Sequence, residues 1–237
     1  MKKTAASGPL AGIKVLELGT LIAGPFCSRM LAEFGADVIK IESPDGGDPI
    51  RQWRVLKDGT SLWWSVQSRN KKSLTLNLKD PRGQEIARKL ALEADIIIEN
   101  YRPGVLEKWS LGYEQLKAEN PATIMVRLSG FGQTGPLKDQ PGFGAIGESM
   151  GGLRYVSGFP DRPPLRVGIS IGDSVAALHG VIGAMMALRH RDTTGGRWNG
   201  KNGDESIAGQ GQMIDVALYE AAVSYTHLRA HETREDL

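Results

Sequence analysis

The sequence predicts an α/β fold in which a mostly parallel sheet carries helices on both faces. Short runs of apolar and β-branched residues alternate with helical patterns over the first two-thirds of the chain, which is typical of this class. The chain has 237 residues, of which 41% are hydrophobic and 24% are charged, as in ordinary globular proteins. This length supplies enough apolar surface for one large core.

Five β-type runs predict the strands of this sheet. They cover residues 13–19, 36–42, 73–79, 95–100 and 123–130. Between them, helical patterns begin near Pro25 and Pro81, since proline is favoured in the first turn of a helix. In the second of these helices Ile86, Leu90 and Ala94 share one stripe. A third, less regular helical pattern separates the last two strands.

The last part of the chain has a different pattern. Residues 135–164 are rich in glycine and proline and predict loops, with a short helix near 146–150. The run SVAALHGVIGAMMALRH (174–190) predicts a helix whose apolar residues cover more than one face, so we expect it to be buried. The polar, glycine-rich segment 193–211 predicts a mobile loop or linker. Residues 212–222 then predict a strand that turns into a helix.

The final residues, VSYTHLRAHETREDL, change abruptly to polar types and break the apolar periodicity that precedes them. The first eleven of them resemble one reading frame through a common sequencing adapter. We therefore predict a domain at 1–222 whose C-terminal part is missing, followed by a non-native tail at 223–237. A natural charged helix is the alternative. His227 and His231 fall in this tail.

The composition argues against several classes of partner and site. The net charge is +2 with no long basic run, so neither a nucleic acid nor a membrane is an expected partner. The single Cys27 allows no internal disulfide framework and no cysteine metal cluster, and we expect no metal site. No apolar run reaches the roughly 18 residues of a membrane span, and the N-terminus lacks the apolar core of a signal peptide. These features predict a cytoplasmic protein.

A GxGxxG string formed by Gly130, Gly132 and Gly135 follows the fifth predicted strand. This spacing indicates dinucleotide binding only where a helix follows directly, and Pro136 and Pro141 interrupt any helix here. The first strand-to-helix turn, GTLIAGP, also lacks a glycine-rich phosphate loop. We therefore expect a loop that lines a ligand site. A dinucleotide-dependent oxidoreductase is the least favoured alternative.

Asp173 is the most informative carboxylate. Gly172 precedes it and an apolar helix follows it, so the pattern is typical of a helix N-cap. The same position keeps a carboxylate ionised and leaves room for a substrate carbonyl. A carboxylate placed in this way could act as a covalent nucleophile. The spacing alone favours the N-cap, and the two roles are compatible.

Cations near the strand ends could together form a phosphate-binding rim, because ligands of open α/β sheets bind at the carboxyl ends of strands. Each of them singly is more typical of a solvated surface charge. Arg102 and Lys108 follow the fourth predicted strand, and the RNKKS segment (69–73) adds further cations. Of the remaining histidines, His179 is expected to pack in the core and His190 to interact with a helix C-terminus.

Six motifs, in order and spacing, carry a resemblance to a known family. They are LAGIKVLELGTLIAGPFCSRMLAEFGADVIKIE, NKKSLTLNLK, IIIENYRPGVLEKWSLGYEQL, NPATIMVRLSGFGQTGP, GISIGDSVAALHGVIGAMMAL and GQMIDVALYEA. From about Leu10 to Ala222 the chain resembles the family III CoA-transferases, which include formyl-CoA transferase and the methylacyl-CoA racemases. The resemblance implies the large, Rossmann-like domain of that fold.

The resemblance also implies an enzyme that moves CoA from an acyl-CoA donor to a carboxylic acid. The family aspartate falls on Asp173, which attacks the donor thioester and then carries CoA as an aspartyl-CoA thioester. CoA and acyl-CoA are substrates, and no permanently bound cofactor is implied. The family's CoA contacts fall on Ile22, Ala23, Leu76, Asn77, Leu78, Lys79, Asn100, Tyr101, Arg102 and Lys108. Ser43 and Lys108 stand where relatives often carry arginine.

Two alternatives stay within CoA chemistry. The racemase branch places a proton-transferring histidine at the position of Phe143, and phenylalanine cannot move a proton. We therefore favour a transferase over an acyl-CoA racemase or epimerase, and a non-catalytic acyl-CoA-binding scaffold is the further alternative. Family members are longer and form interlocked homodimers. The resemblance therefore implies a fragment that lacks the smaller domain and is inactive by itself.

Overall fold

A six-stranded parallel sheet forms the centre of the protein. The computed structural model describes residues 7–197 and 208–232, with side chains up to residue 226 in the last helix. The strands are β1 (Lys14–Glu17), β2 (Asp37–Glu42), β3 (Leu56–Lys57), β4 (Thr60–Ser61), β5 (Lys71–Thr75), β6 (Ile96–Glu99), β7 (Ile124–Ser129) and β8 (Met213–Ala217). Their order in the sheet is β5-β2-β1-β6-β7-β8, while β3 and β4 form a separate short hairpin. The predicted α/β class and its five strands are confirmed.

Helices cover both faces of this sheet. They are α1 (Ala23–Glu33), α2 (Leu62–Gln67), α3 (Pro81–Glu93), α4 (Val105–Lys108), α5 (Tyr113–Lys117), α6 (Gly144–Met150), α7 (Ile171–Thr194) and α8 (Leu218–Glu232), with a 3-10 helix at Pro49–Gln52. Strand β6 shows how the layers form, because Ile96 and Ile98 belong to the core under α1 and α7, whereas Ile97 belongs to the core under α3. Successive side chains of a strand point to opposite faces of the sheet. A parallel strand with helices on both faces therefore needs apolar residues at every position.

Two local predictions hold only in part. The strand predicted at 73–79 ends at Thr75, because the Asn77 side chain accepts a hydrogen bond from the Lys79 backbone N–H and turns the chain toward α3. In α3 the buried face is formed by Gly83, Ala87 and Ala91; of the predicted stripe, Ala94 is buried and Leu90 packs against the core, but Ile86 is exposed. Small residues on that face allow the helix to approach its neighbours closely: a Cβ at position 83 would lie 2.0 Å from the Asn77 carbonyl oxygen.

The burial predicted for the long apolar helix holds for one face of α7 only. Val175 and Ala184 are buried against the sheet and α1, whereas Leu178, Ile182 and Met185 are exposed in the chain. By length and composition α7 is also apolar enough to cross a membrane, contrary to the expectation that no apolar run is that long, and part of it is buried within the protein. A core helix of a water-soluble protein passes the same test.

The loop predicted at 193–211 and the tail predicted at 223–237 extend beyond the described residues. Helix α7 continues to Thr194, and most of the loop predicted at 193–211 lies in the undescribed range 198–207. The strand and helix predicted at 212–222 are confirmed as β8 and the start of α8. Helix α8 runs across position 222, and the domain boundary there stays a prediction.

A buried ion network lies at the carboxyl end of β1. The fully buried Glu17 carboxylate accepts hydrogen bonds from Lys40 Nζ at 2.7 Å and Lys71 Nζ at 2.8 Å. Lys40 Nζ also lies 2.8 Å from Asp48 Oδ2. Burial raises the pKa of Glu17, but the two lysines outweigh it and hold that pKa below its ordinary value. The network therefore remains charged.

We expect Glu17→Ala to lower the free energy of unfolding by about 3–5 kcal/mol, because Lys40 and Lys71 would stay buried without their partner. Urea unfolding followed by circular dichroism measures this change. Glu93→Ala is the control, since the exposed Glu93–Lys14 pair at 3.6 Å should leave stability unchanged within error. Equal effects of the two substitutions would contradict the importance of the network.

Candidate functional site

The strand order places a crevice between β1 and β6. The strand that follows β1 in the chain, β2, lies on one side of β1 in the sheet, and β6 lies on the other side. The connections after β1 and β6 therefore run in opposite directions. The Asn100 side chain holds the two loops together: its Oδ1 accepts the Thr20 backbone N–H at 2.8 Å, and its Nδ2 donates to the Thr20 carbonyl oxygen at 2.9 Å. Open α/β sheets bind their ligands at such a switch point.

Two cavities meet at this crevice. The first, here called the Asp173 cavity, has a volume of about 250 Å³ and includes Ile22, Ala23, Asn100, Arg102, Phe143 and Asp173 in its lining. The second, here called the β2–β5 cavity, has a volume of about 390 Å³ and includes Glu42, Ser43, Leu76, Asn77, Leu78 and Lys79. Thr20 and Tyr101 line both cavities, so these residues stand at their junction.

Asp173 lies in the first turn of α7 and not at its N-cap, which is Ser170. The prediction of an N-cap is therefore wrong by three residues, because the helix begins at Ile171, before the glycine that was expected to precede it. The carboxylate contacts the start of α6: a Cβ at Gly144 would lie 2.2 Å from Asp173 Oδ2. Only glycine at position 144 leaves space for this carboxylate.

The surroundings of Asp173 make its carboxyl group unusually basic. Burial is the main cause, the charge of Glu148 adds to it, and together they raise the pKa of Asp173 to about 6, against the opposing charge of Arg166. Glu148 is 1% exposed; one of its oxygens accepts the Gly172 backbone N–H at 3.4 Å, and the other lies 3.6 Å from Arg154. Asp173 therefore remains ionised at neutral pH, as expected, although its pKa lies above that of an ordinary aspartate.

Most of the CoA contacts implied by the resemblance lie around the two cavities. Ile22, Ala23, Asn100, Tyr101 and Arg102 line the Asp173 cavity. Leu76 to Lys79 line the β2–β5 cavity, together with Tyr101. Ser43 lies there too. Lys108 does not follow this pattern: it is exposed at the end of α4 and lines neither cavity.

The cations predicted at 69–73 do not join Arg102 in one rim. Lys71 is buried against Glu17, Arg69 pairs with Glu33 at 2.7 Å, and Lys72 pairs with Asp37 at 2.5 Å. These partners satisfy the charges at β1, α1 and β2. Of the cations predicted for the rim, Arg102 alone lines a cavity described in this structure.

The structure of the GxGxxG segment agrees with the expectation that no helix follows it directly. After β7 the chain runs through turns, and the next helix, α6, begins only at Gly144. Gly130 and Phe143, at the two ends of this loop, line the Asp173 cavity. No ordered row of helix N-terminal amides follows the glycines, so the segment lacks the feature that binds a pyrophosphate.

Histidine and metal chemistry find no support around Asp173. His179 is exposed, with its Nδ1 3.0 Å from the Val175 carbonyl oxygen, so the expectation of a core position is wrong. Neither His179 nor His190 lines the Asp173 cavity. Within residues 7–197 and 208–232, no cluster of His, Cys, Asp and Glu could hold a metal ion.

Sequence reasoning missed four residues of the site. Trp53, Lys138 and Arg166 line the Asp173 cavity from loops that carry no periodic pattern. Glu148 lies on α6 beside Asp173, 25 residues away in the chain. The only sequence feature that pointed to Glu148 was its position as a carboxylate within the short helix predicted near 146–150.

Comparisons with known proteins give a consistent result. The sequence matches the model of CoA-transferase family III over residues 10–236. It is 51% identical over 217 residues to succinyl-CoA–D-citramalate CoA-transferase of Chloroflexus aurantiacus, a match that covers 91% of this chain and 50% of the relative. It is 44% identical to the β subunit of succinyl-CoA–L-malate CoA-transferase of the same organism, covering 93% of this chain and 52% of the relative. The chain thus spans about half the length of these curated relatives.

A solved structure supports the same conclusion. A CAIB/BAIF family protein from Brucella suis superposes with a TM-score of 0.84 at 36% identity, covering 95% of this chain and 57% of that one. The parallel sheet and its flanking helices are therefore the arrangement of this group of proteins.

The raised pKa of Asp173 predicts a pH-dependent effect of its substitution on stability. The folded protein holds this proton more tightly than the unfolded chain, so the stability it contributes is full below about pH 4 and is lost as the pH rises through about 6. We expect Asp173→Asn to stabilise the protein at pH 7 by up to about 3 kcal/mol, with the gain vanishing toward pH 4. Urea unfolding at both pH values measures it. Asp161→Asn, in an exposed loop, is the control, and a pH-independent gain for Asp173→Asn would contradict the raised pKa.

Proposed function

The chain belongs to CoA-transferase family III, and from that premise we propose that it binds acyl-CoA and transfers CoA to a carboxylic acid through Asp173. The observation that supports this most is the junction of two cavities at the β1–β6 crevice, one of which is lined by a partly buried, basic carboxylate. CoA is a long molecule with a nucleotide at one end and a thioester at the other. The two cavities suit these two ends.

The nucleotide end of CoA is assigned to the β2–β5 cavity. Leu76, Asn77 and Leu78 supply backbone and apolar surface for a base and ribose, and Lys79 supplies a cation for phosphate. The pantetheine arm then passes Thr20 and Tyr101, which line both cavities. In this assignment Asn100 acts mainly through the Thr20 backbone, which it holds on both sides.

The thioester end is assigned to the Asp173 cavity, between Ile22 and Ala23 on one side and α7 on the other. An Asp173 oxygen attacks the thioester carbonyl, the C–S bond breaks, and a mixed anhydride and the CoA thiolate form. The thiolate attacks the aspartyl carbonyl of this anhydride, releasing the donor acid and leaving an aspartyl-CoA thioester. The acceptor carboxylate repeats the two steps in reverse and restores the free carboxylate.

The environment of Asp173 suits a nucleophile. A carboxylate with a pKa of about 6 is ionised at neutral pH, yet it is more basic than an ordinary aspartate and therefore more nucleophilic. Desolvation, the main cause of the raised pKa, also removes the water that would compete for the anhydride.

The alternative reactions are less well supported. A racemase needs a second group that moves the α-proton, and the position where the racemase branch carries that group is Phe143, an exposed residue that lines the Asp173 cavity. An oxidoreductase would need the pyrophosphate site that the GxGxxG segment lacks.

We further propose that the full-length protein is a cytoplasmic homodimer. The apolar face of α7 formed by Leu178, Ile182 and Met185 is exposed in this chain, and a second copy would cover such a surface.

The proposed reaction predicts a covalent CoA adduct on Asp173. Incubation of the full-length protein with acyl-CoA should add the mass of CoA to the peptide that contains Asp173, and hydroxylamine should remove it. Mass spectrometry measures both changes. Asp173→Ala should abolish the adduct and CoA exchange, while Asp161→Asn should retain both. Exchange that survives in Asp173→Ala would overturn the assignment.

The proposed nucleophile also predicts the pH dependence of exchange. Protonated Asp173 cannot attack, so kcat/KM should fall about tenfold for each pH unit below 6. Glu148→Gln removes the neighbouring charge that helps to raise the pKa of Asp173 and should move this fall to lower pH. A profile that does not move in Glu148→Gln would exclude Glu148 as a cause.

A further inference from the structure

We propose that Glu148 is a positioning residue whose charge favours the transfer of CoA onto Asp173, so that the aspartyl-CoA thioester is stabilised relative to the free carboxylate. Glu148 lines neither cavity and acts through Asp173 alone. This inference rests on the proposed function and deepens it, because it names the residue that sets the balance between the free and the loaded nucleophile.

The first observation is the contact between the acid-bearing turns of α6 and α7. Gly144 and Glu148 lie one turn apart on the same face of α6, and both meet the first turn of α7. Gly144 lies against the Asp173 carboxylate, and a Cβ at Gly172 would lie 3.2 Å from Glu148 Cγ. Glycines on both helices thus allow the two turns that carry Glu148 and Asp173 to pack in contact.

The second observation is that Glu148 is a buried acid with weak partners. It is 1% exposed, yet its Oε2 makes no hydrogen bond with any residue that the structure describes. Its Oε1 accepts the Gly172 backbone N–H at the long distance of 3.4 Å, and Arg154 lies 3.6 Å from Oε2. An apolar side chain of similar size would fill this space at lower cost. A buried polar atom left without a hydrogen bond therefore points to a role in function.

The charge of Glu148 acts on the nucleophile. Burial and then the charge of Glu148 raise the pKa of Asp173 to about 6, and the charge of Arg166 opposes them. Glu148 repels the ionised carboxylate of Asp173 and has no such effect on a neutral form of that side chain. The repulsion is therefore relieved when the carboxylate is converted into a neutral group.

Loading with CoA is a conversion of this kind. In the two steps proposed above, the CoA sulfur moves from the acyl carbon to the aspartyl carbon, and one Asp173 oxygen leaves with the donor acid. No proton or electron is gained or lost in the sum of the two steps. The negative charge of Asp173 leaves as the donor carboxylate, which is released into water. Glu148 thus destabilises the starting carboxylate but not the neutral thioester, and it favours the loaded state.

The equilibrium of loading tests the inference. Full-length protein is mixed with succinyl-CoA and succinate in varied ratio at about pH 7.5, where Asp173 is ionised, and mass spectrometry of the denatured protein gives the loaded fraction. The ratio of succinate to succinyl-CoA at half-loading measures the equilibrium constant. The plateau at low succinate measures the fraction of active protein.

Glu148→Gln keeps the shape of the side chain and an oxygen for the Gly172 N–H, but it removes the charge. We expect it to lower the half-loading ratio about tenfold, as a change of one pKa unit at Asp173 implies, and to leave the plateau unchanged. A structural role alone would lower the plateau and leave the ratio unchanged.

Three further variants separate charge from structure. Glu148→Asp keeps the charge and should retain most of the original half-loading ratio. Arg166→Gln removes the charge that opposes Glu148 and should move the ratio in the other direction, to a higher value. Glu114→Gln is the matched control, because it makes the same exchange at an exposed position of α5 that lines neither cavity. It should change neither the ratio nor the plateau.

The outcomes that contradict the inference differ from those that contradict the proposed function. An unchanged half-loading ratio in Glu148→Gln would overturn the inference and leave the proposed function intact. A ratio that moves in the same direction in Glu148→Gln and Arg166→Gln would exclude charge as the cause and overturn it too. The absence of any CoA adduct on the unaltered protein with succinyl-CoA would instead contradict the proposed function, and with it the inference.

Discussion

The buried carboxylate of Glu17 is the interaction on which the site most depends. It lies at the end of β1 and binds Lys40 of β2, Lys71 of β5 and the Ser28 hydroxyl of α1, with Ser28 Oγ at 2.6 Å. The two lysines in turn donate to the carbonyl oxygens of Gly19 and Pro25, each at 2.7 Å. Three strands and a helix therefore converge on one acid. The loop after β1, which lines both cavities, takes its shape from these bonds.

The other side of the crevice has its own buried charges. Arg127 of β7 binds Glu99 at the end of β6 and also Glu107 of α4, at 2.7 and 2.6 Å. Burial raises the pKa of Glu99 to about 7 against the influence of Arg127. Buried ion pairs add little net stability, since desolvation offsets their attraction. Their directional bonds fix the ends of the strands from which the loops after β1 and β6 begin, and both cavities are lined by these loops.

The sheet was predictable from sequence because its pattern is local. Strands such as β6, with apolar residues on both faces, are recognised from a few adjacent residues. The sequence predictions failed where contacts between residues far apart in the chain determine which side chains are buried or lie at the site. Gly83 and Ala87 face inward because neighbouring chain segments leave room for small residues only. Asp173 was found from its glycine and its helix, but Arg166, Lys138 and Glu148 come from irregular or short segments that only the folded chain brings together.

Gly144 links the packing of the site to its chemistry. Because it has no side chain, the N-terminal ends of α6 and α7 approach until Asp173 Oδ2 occupies the space that a Cβ would need. This approach partly buries the carboxylate and brings it near Glu148 on the following turn of α6. A helix N-terminus by itself would lower the pKa of an aspartate, so the raised value shows that burial and the second acid outweigh the helix dipole. Asp173 is thus a basic carboxylate that destabilises the folded protein at neutral pH. The ion networks around Glu17 and Arg127 fix the strand ends from which the surrounding loops begin.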